Sequence, residues 1–195
     1  MLADDEYNDY CKLMARLKRD QQRTGQHPER KRHRLPMEAY SASDCDFFIT
    51  ICVHDRAAAP FLRQTIANAV VESLLWTKQH NNWTLHCYCL MPDHLHFIAR
   101  LPDTSTKYLD AGARGVVSEG ILDHIGNFKK FTTTQVWWKQ GGRDELWQRS
   151  SYDHVIRYSR SVEPAMRYVL NNPVRKGLVQ DWRDYPYSRL VDAEL

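Results

Sequence analysis

Two short apolar runs constrain this chain more than any other feature. Residues 83–90 read WTLHCYCL and residues 94–101 read HLHFIARL, with only Met91, Pro92 and Asp93 between them. A chain that leaves one strand and enters another within three residues has turned back on itself, so the two runs predict an antiparallel hairpin. A further strand is predicted over 46–53, DFFITICV, which is rich in β-branched and aromatic residues. Residues 60–79 open with Pro60 and place Phe61, Ile66, Val70, Val71 and Leu74 at helical spacings. A second helix is expected over 116–138, from the three- and four-residue steps between Val116, Val117, Ile121, Ile125, Phe128 and Phe131, with Gly141 and Gly142 breaking it. Residues 146–157 read as a strand or turn, and 161–172 as a helix that opens at Ser161 and Glu163 and stops before Pro173. The order strand, helix, strand, strand, helix, strand, helix is the βαββαβ pattern of a ferredoxin-like α+β sandwich with an antiparallel sheet. There is no internal repeat and no glycine-rich phosphate loop.

The 195 residues suit one domain with decorations and can bury a core without disulfides. An apolar fraction of 43% and a charged fraction of 26% exclude a fibrous or disordered chain. No stretch approaches the roughly eighteen apolar residues of a membrane span, so no membrane partner is expected. The acidic N-terminus MLADDEYNDY lacks the apolar segment of a signal peptide. Five cysteines (Cys11, Cys45, Cys52, Cys87 and Cys89) have no framework spacing and are expected to be reduced in a cytosol.

The net charge of +3 is unevenly spread. Residues 1–10 sum to −4 and residues 11–34 to +7, which leaves zero for 35–195. The basic stretch includes Arg16, Lys18, Arg19, Arg30, Lys31, Arg32 and Arg34. A basic arm ahead of a neutral domain suits a polyanionic partner, and equally suits a solvated tail. Apart from a short helical stretch near 6–20 it carries no core pattern. The expected organisation is an appendage over 1–34, a folded domain over 35–180 and a C-terminal tail over 181–195.

His94 and His96 stand at i and i+2 in a predicted strand, so both imidazoles project from one face. Such a pair can hold a divalent metal, or can be two histidines on a wet strand face. Tyr168 and Asn172 lie four apart on the last helix and share a face. The tyrosine can be a nucleophile and the amide oxygen a metal ligand; alternatively Tyr168 packs in the core and Asn172 caps the helix before Pro173.

Several segments, in order, resemble the REP-associated tyrosine transposases, a branch of the single-tyrosine HUH transposases. LHCYCLMPDHLHFI (85–98) is similar to the HUH strand of that family, with Asp93 where the family often has Asn. RHRLPMEAYSASDCDFFITICVHDR (32–56) resembles its opening segment, ELWQRSSYDHVIR (145–157) its WQ…YDH…R motif, MRYVLNNPVRKGLV (166–179) its catalytic helix, and DWRDYPYSR (181–189) its tail. The similarity spans about 32–190. It implies an HUH-endonuclease fold in which His94, His96 and Asn172 bind the metal and Tyr168 is the nucleophile. Tyr152, beside Asp153 and His154, lacks a partner Asn four residues on and is the weaker candidate.

The resemblance implies cleavage and rejoining of single-stranded DNA at hairpin elements through a 5′-phosphotyrosine, with Mg²⁺ or Mn²⁺. The basic arm would hold phosphates, while Trp137, Trp138, Trp147 and Tyr108 are candidates to stack on bases or to pack inside. A monomer or a homodimer fits, in the bacterial cytoplasm at the nucleoid. Two other classes remain open at this level: a catalytically silent DNA-binding regulator, and a metal-dependent nuclease that uses water.

Overall fold

A computed structural model describes residues 45–102, 120–141, 144–157 and 161–193, all of them in a unit spanning Met37–Leu195. The basic arm, the helical stretch near 6–20 and Tyr108 lie outside the described residues.

Five strands form one antiparallel sheet: β1 Cys45–Cys52, β2 Thr84–Met91, β3 His94–Arg100, β4 Tyr152–Arg157 and β5 Ser188–Leu190. Their order across the sheet is β4-β1-β3-β2-β5. Helix α1 (Gln64–His80) links β1 to β2, and helix α2 (Ile121–Gln140) lies between β3 and β4. Each crossover skips one strand, which is the ferredoxin-like arrangement that the element order predicts. Helices α3 (Glu163–Leu170) and α4 (Asn172–Arg175) follow β4.

The alternation along β1 sorts the two faces. Phe47, Ile49 and Ile51 join Ile66, Val70 and Leu74 of α1 and Ile121, Ile125 and Phe128 of α2 in one buried cluster. Phe48, equally buried, points the other way. Polar residues on the inner face of α1 are satisfied within the helix: Ser73 Oγ donates to the Ala69 carbonyl and Thr77 Oγ1 to that of Ser73, each at 2.7 Å.

The hairpin is tighter than the sequence suggests. Met91 pairs with His94, so only Pro92 and Asp93 turn the chain. The Phe61 amide donates to Pro92 O and the Val53 amide to Asp93 O, at 3.2 and 3.0 Å, which pins the turn against two other segments. A bulge between Leu85 and Cys87 shifts the register of β2.

Three expectations change. The helix expected to stop before Pro173 ends at Leu170, and α4 carries helical backbone through the proline, which the first turn of a helix tolerates. The segment 60–79 begins with a separate 3₁₀ turn, Pro60–Leu62, before α1. The C-terminal tail supplies β5, which pairs with β2 at Cys87–Cys89. Ser188 Oγ donates to Leu170 O at 3.2 Å, so this strand also grips the end of α3. Among the described residues no helix is long and apolar enough to cross a membrane.

Candidate active site

The sheet face opposite α1 and α2 carries the chemistry. Directly paired residues share a face, so the registers define a rung across all five strands: Tyr152, Thr50, His96, Cys89 and Ser188. The next rung in one direction holds Cys52, His94 and Met91. In the other direction it holds His154, Phe48, Ile98 and Cys87. The same-face placement of His94 and His96 expected from their spacing is present, with ring centroids 4.6 Å apart. Both are buried, and His96 stacks on Phe48 at 5.5 Å.

Each imidazole has its Nδ1 engaged. Thr50 Oγ1 lies 2.7 Å from Nδ1 of His96. Nδ1 of His94 lies 2.6 Å from Oδ1 of Asp93. The hydrogen bond from His94 holds the Asp93 carboxyl well below the usual carboxylate range; burial opposes this, and Arg56 reinforces it. Arg56 donates from Nε and a terminal nitrogen to Oδ2 of Asp93, at 2.7 and 2.6 Å. An ionised carboxylate only accepts, so Nδ1 of His94 is the donor in this pair and Nε2 is the nitrogen left to face a cation. This carboxylate–imidazole pair is the support commonly found behind a metal-binding histidine. By donor chemistry the two rings therefore fit a divalent cation. Among the described residues no group of three or more His, Cys, Asp or Glu side chains is gathered to hold one, so any third protein ligand is of another type, such as an amide oxygen.

Helix α3 packs over β2 and β3 on this face and brings Tyr168 to it. The Tyr168 ring is buried, 6.0 Å from Phe48 and 6.3 Å from His96. Asn172 is one turn on, at the start of α4, and is also buried. Its Nδ2 donates to the carbonyls of Tyr168 and Val169, at 3.2 and 3.4 Å. The reason lies in Pro173, which has no N–H to return to Val169 four residues back. The Asn172 amide covers that gap, and its oxygen is the only atom it could offer a cation. Arg175, two turns beyond Tyr168, lays its guanidinium 4.5 Å from the centre of the Tyr168 ring.

Tyr152 stands on the same face. Its ring is 6.3 Å from Phe48, it is 39% exposed against 3% for Tyr168, and burial together with the charges of Asp153 and Tyr168 raises its pKa. The neighbouring thiols are inert: burial pushes Cys89 to about 12 and Cys87 higher still.

Of the stacking candidates, Trp147 is core. It packs on Phe61 and Phe128, and its Nε1 donates to Thr132 Oγ1 at 2.8 Å. Trp137 donates to the Asp144 carbonyl at 2.9 Å, and Trp138 is 84% exposed. The arm residues Arg16, Lys18, Arg19, Arg30, Lys31, Arg32 and Arg34 are outside the described residues. Sequence reasoning missed Thr50, Phe48, Asp93 and Arg175 as site residues. Asp93 and Arg175 left a signal, one adjacent to His94 in the turn and the other seven residues from Tyr168 on one helical face.

A five-stranded antiparallel sheet with a histidine pair on one face, under a helix that brings a tyrosine to it, defines an α+β protein of the ferredoxin-like class. Comparison with known proteins agrees on the family resemblance. The chain is 27% identical over 152 residues to a Haemophilus influenzae protein described as "Putative REP-associated tyrosine transposase", covering 76% of this chain and 83% of that one. It is 22% identical over 142 residues to an Escherichia coli K12 REP-associated tyrosine transposase, covering 73% and 74%. A solved structure of a REP-associated tyrosine transposase bound to a REP hairpin shares the fold, with a TM-score of 0.55, 20% identity, and coverage of 75% of this chain and 77% of that one. No protein-family model matches the chain.

Proposed function

We propose that this protein cleaves and rejoins single-stranded DNA at hairpin elements of the REP type, with Tyr168 as the nucleophile. The observation that carries the reading is the seating of Tyr168 beside His96 on the face that also presents His94. The homologues named REP-associated tyrosine transposase, and the fold shared with one bound to a REP hairpin, support it.

In the proposed reaction the Tyr168 oxygen attacks the scissile phosphorus. An oxygen–phosphorus bond forms, the bond from phosphorus to the 3′ oxygen breaks, the phenol proton passes to water, and the 3′ oxygen takes a proton from water. The products are a 5′-phosphotyrosine and a free 3′-hydroxyl. The new ester retains the reactivity of the phosphodiester, so another 3′-hydroxyl can displace the tyrosine without a nucleotide cofactor. Burial of Tyr168 against Phe48 fixes the direction of the phenol. Thr50 and Asp93 hold the two imidazoles in orientation through Nδ1, which makes Nε2 the nitrogen through which His94 and His96 would hold Mg²⁺ or Mn²⁺, with the Asn172 oxygen as a third protein ligand. When bound, such a cation withdraws charge from a phosphate oxygen. The basic arm would contact backbone phosphates, and a cytoplasmic, nucleoid-associated protein is the matching localisation.

Labelled hairpin DNA with a single-stranded flank, incubated with the full chain and Mn²⁺, tests this. The expected result is a protein–DNA band that survives SDS. Cut DNA without the band would mean a water-using nuclease, and binding without cutting a silent regulator.

A further inference from the structure

We infer that Arg175 is a further catalytic residue, whose guanidinium binds the non-bridging oxygens of the phosphate that Tyr168 attacks; this rests on the function proposed above. The guanidinium carbon stands 4.5 Å from the centre of the Tyr168 ring. Arg175 is exposed while the ring beneath it is buried, so a phosphate approaching the phenol from solvent meets the guanidinium. To react, phosphorus must come within about 3–3.5 Å of the phenol oxygen, which places its other oxygens within reach of a cation stacked on the same ring.

The charge is also available. Arg56 and Arg100 are paired to Asp93 and Asp46, and Arg167 and Arg183 to Glu163 and Asp181. Among the described residues no carboxylate pairs with Arg175. Stacking on an aromatic ring orients a guanidinium without neutralising it. Its planar fork matches two phosphate oxygens, and those oxygens gain negative charge in the transition state. The backbone supports the placement. Arg175 closes α4, and Gly177 turns the chain away at φ 68°, a conformation that suits glycine.

The test is single-turnover adduct formation by the full chain on labelled hairpin DNA with Mn²⁺, using a normal scissile phosphate and a methylphosphonate that lacks the negative oxygen. Arg175→Ala is expected to slow the adduct on the phosphate by about 10²-fold, with hairpin affinity little changed and Arg175→Lys in between. On the methylphosphonate the gap between wild type and Arg175→Ala should close, because there is no charge left to neutralise. A structural role predicts the same gap on both substrates and overturns the inference. Faster cleavage by Arg175→Ala on the phosphate would make the guanidinium a shield over Tyr168 and also overturns it. No adduct from wild type refutes the proposed function and this inference together, whereas a normal rate for Arg175→Ala beside an inactive Tyr168→Phe refutes the inference alone.

Discussion

The rings of His96 and Tyr168 lie 6.3 Å apart at an angle of 69°, one on the central strand β3 and the other on a helix from the last part of the chain. Phe48 completes a triangle of rings with them, stacked on the histidine and edge-on to the tyrosine. An apolar wall of this kind fixes both side chains, so the proposed nucleophile and the histidine pair are held in register before any DNA arrives.

That arrangement separates the two tyrosines of the face. Tyr168→Phe is expected to abolish the SDS-resistant adduct while leaving hairpin affinity nearly unchanged, since only a hydroxyl is lost. Tyr152→Phe should still form the adduct. Gel analysis of both variants decides the assignment, and the reverse outcome would move the nucleophile to β4.

The histidine pair predicts a metal requirement. His94→Ala or His96→Ala should lose Mn²⁺-dependent cleavage and weaken Mn²⁺ binding measured by calorimetry, while hairpin affinity changes far less because phosphate contacts elsewhere supply it. Asp93→Ala should weaken Mn²⁺ binding by about 10–100-fold, the usual effect of removing the group behind a metal-binding histidine. Full cleavage in EDTA would rule out the metal role.

At the far end of the same face, Asp46 accepts from His86 Nε2 at 2.7 Å and from Arg100 at 2.9 and 2.8 Å. Burial alone would raise its pKa, but the hydrogen bonds and charges of these two partners outweigh it and leave it below the ordinary value of 3.8. A carboxyl with a lowered folded pKa stabilises the protein above its unfolded value, and that contribution is lost as pH falls below about 4. Asp46→Asn should therefore lower stability at neutral pH and flatten its decline in acid. Asp46→Ala, which strands two donors, should cost about 3 kcal/mol. Denaturant unfolding at pH 7 and below pH 4 gives both numbers; equal acid slopes for wild type and Asp46→Asn would refute the linkage.

The charge of +7 in residues 11–34 predicts a salt effect. Removing residues 1–34 should weaken hairpin binding and flatten the slope of log affinity against log salt, because fewer counterions are released on binding. Thermal unfolding should change little, since among the described residues the strands and helices that build the core begin at Cys45. An unchanged slope would make the arm a solvated tail.

Local periodicity made much of the molecule legible. Residues two apart on a strand share a face whatever the strand pairs with, so His94 and His96 could be placed together from spacing alone. The three residues Met91, Pro92 and Asp93 between two apolar runs pointed to a hairpin, and the strand–helix order left few sheet topologies. A period says which side chains share a face, however, and not what lies opposite them. Only long-range pairing put β4 beside β1 and so brought Tyr152 across from Thr50. Only packing made Trp147 a core residue and turned part of an expected tail into the edge strand β5. The role of Asn172 within its helix depends on the N–H that Pro173 lacks, and the place of Arg175 over Tyr168 depends on the chain continuing helically through that proline. The sequence by itself determined most of the elements and the faces of their side chains, because those follow from the chemistry of neighbouring residues. The tertiary structure decided which faces meet, because that depends on burying apolar surface contributed by distant parts of the chain.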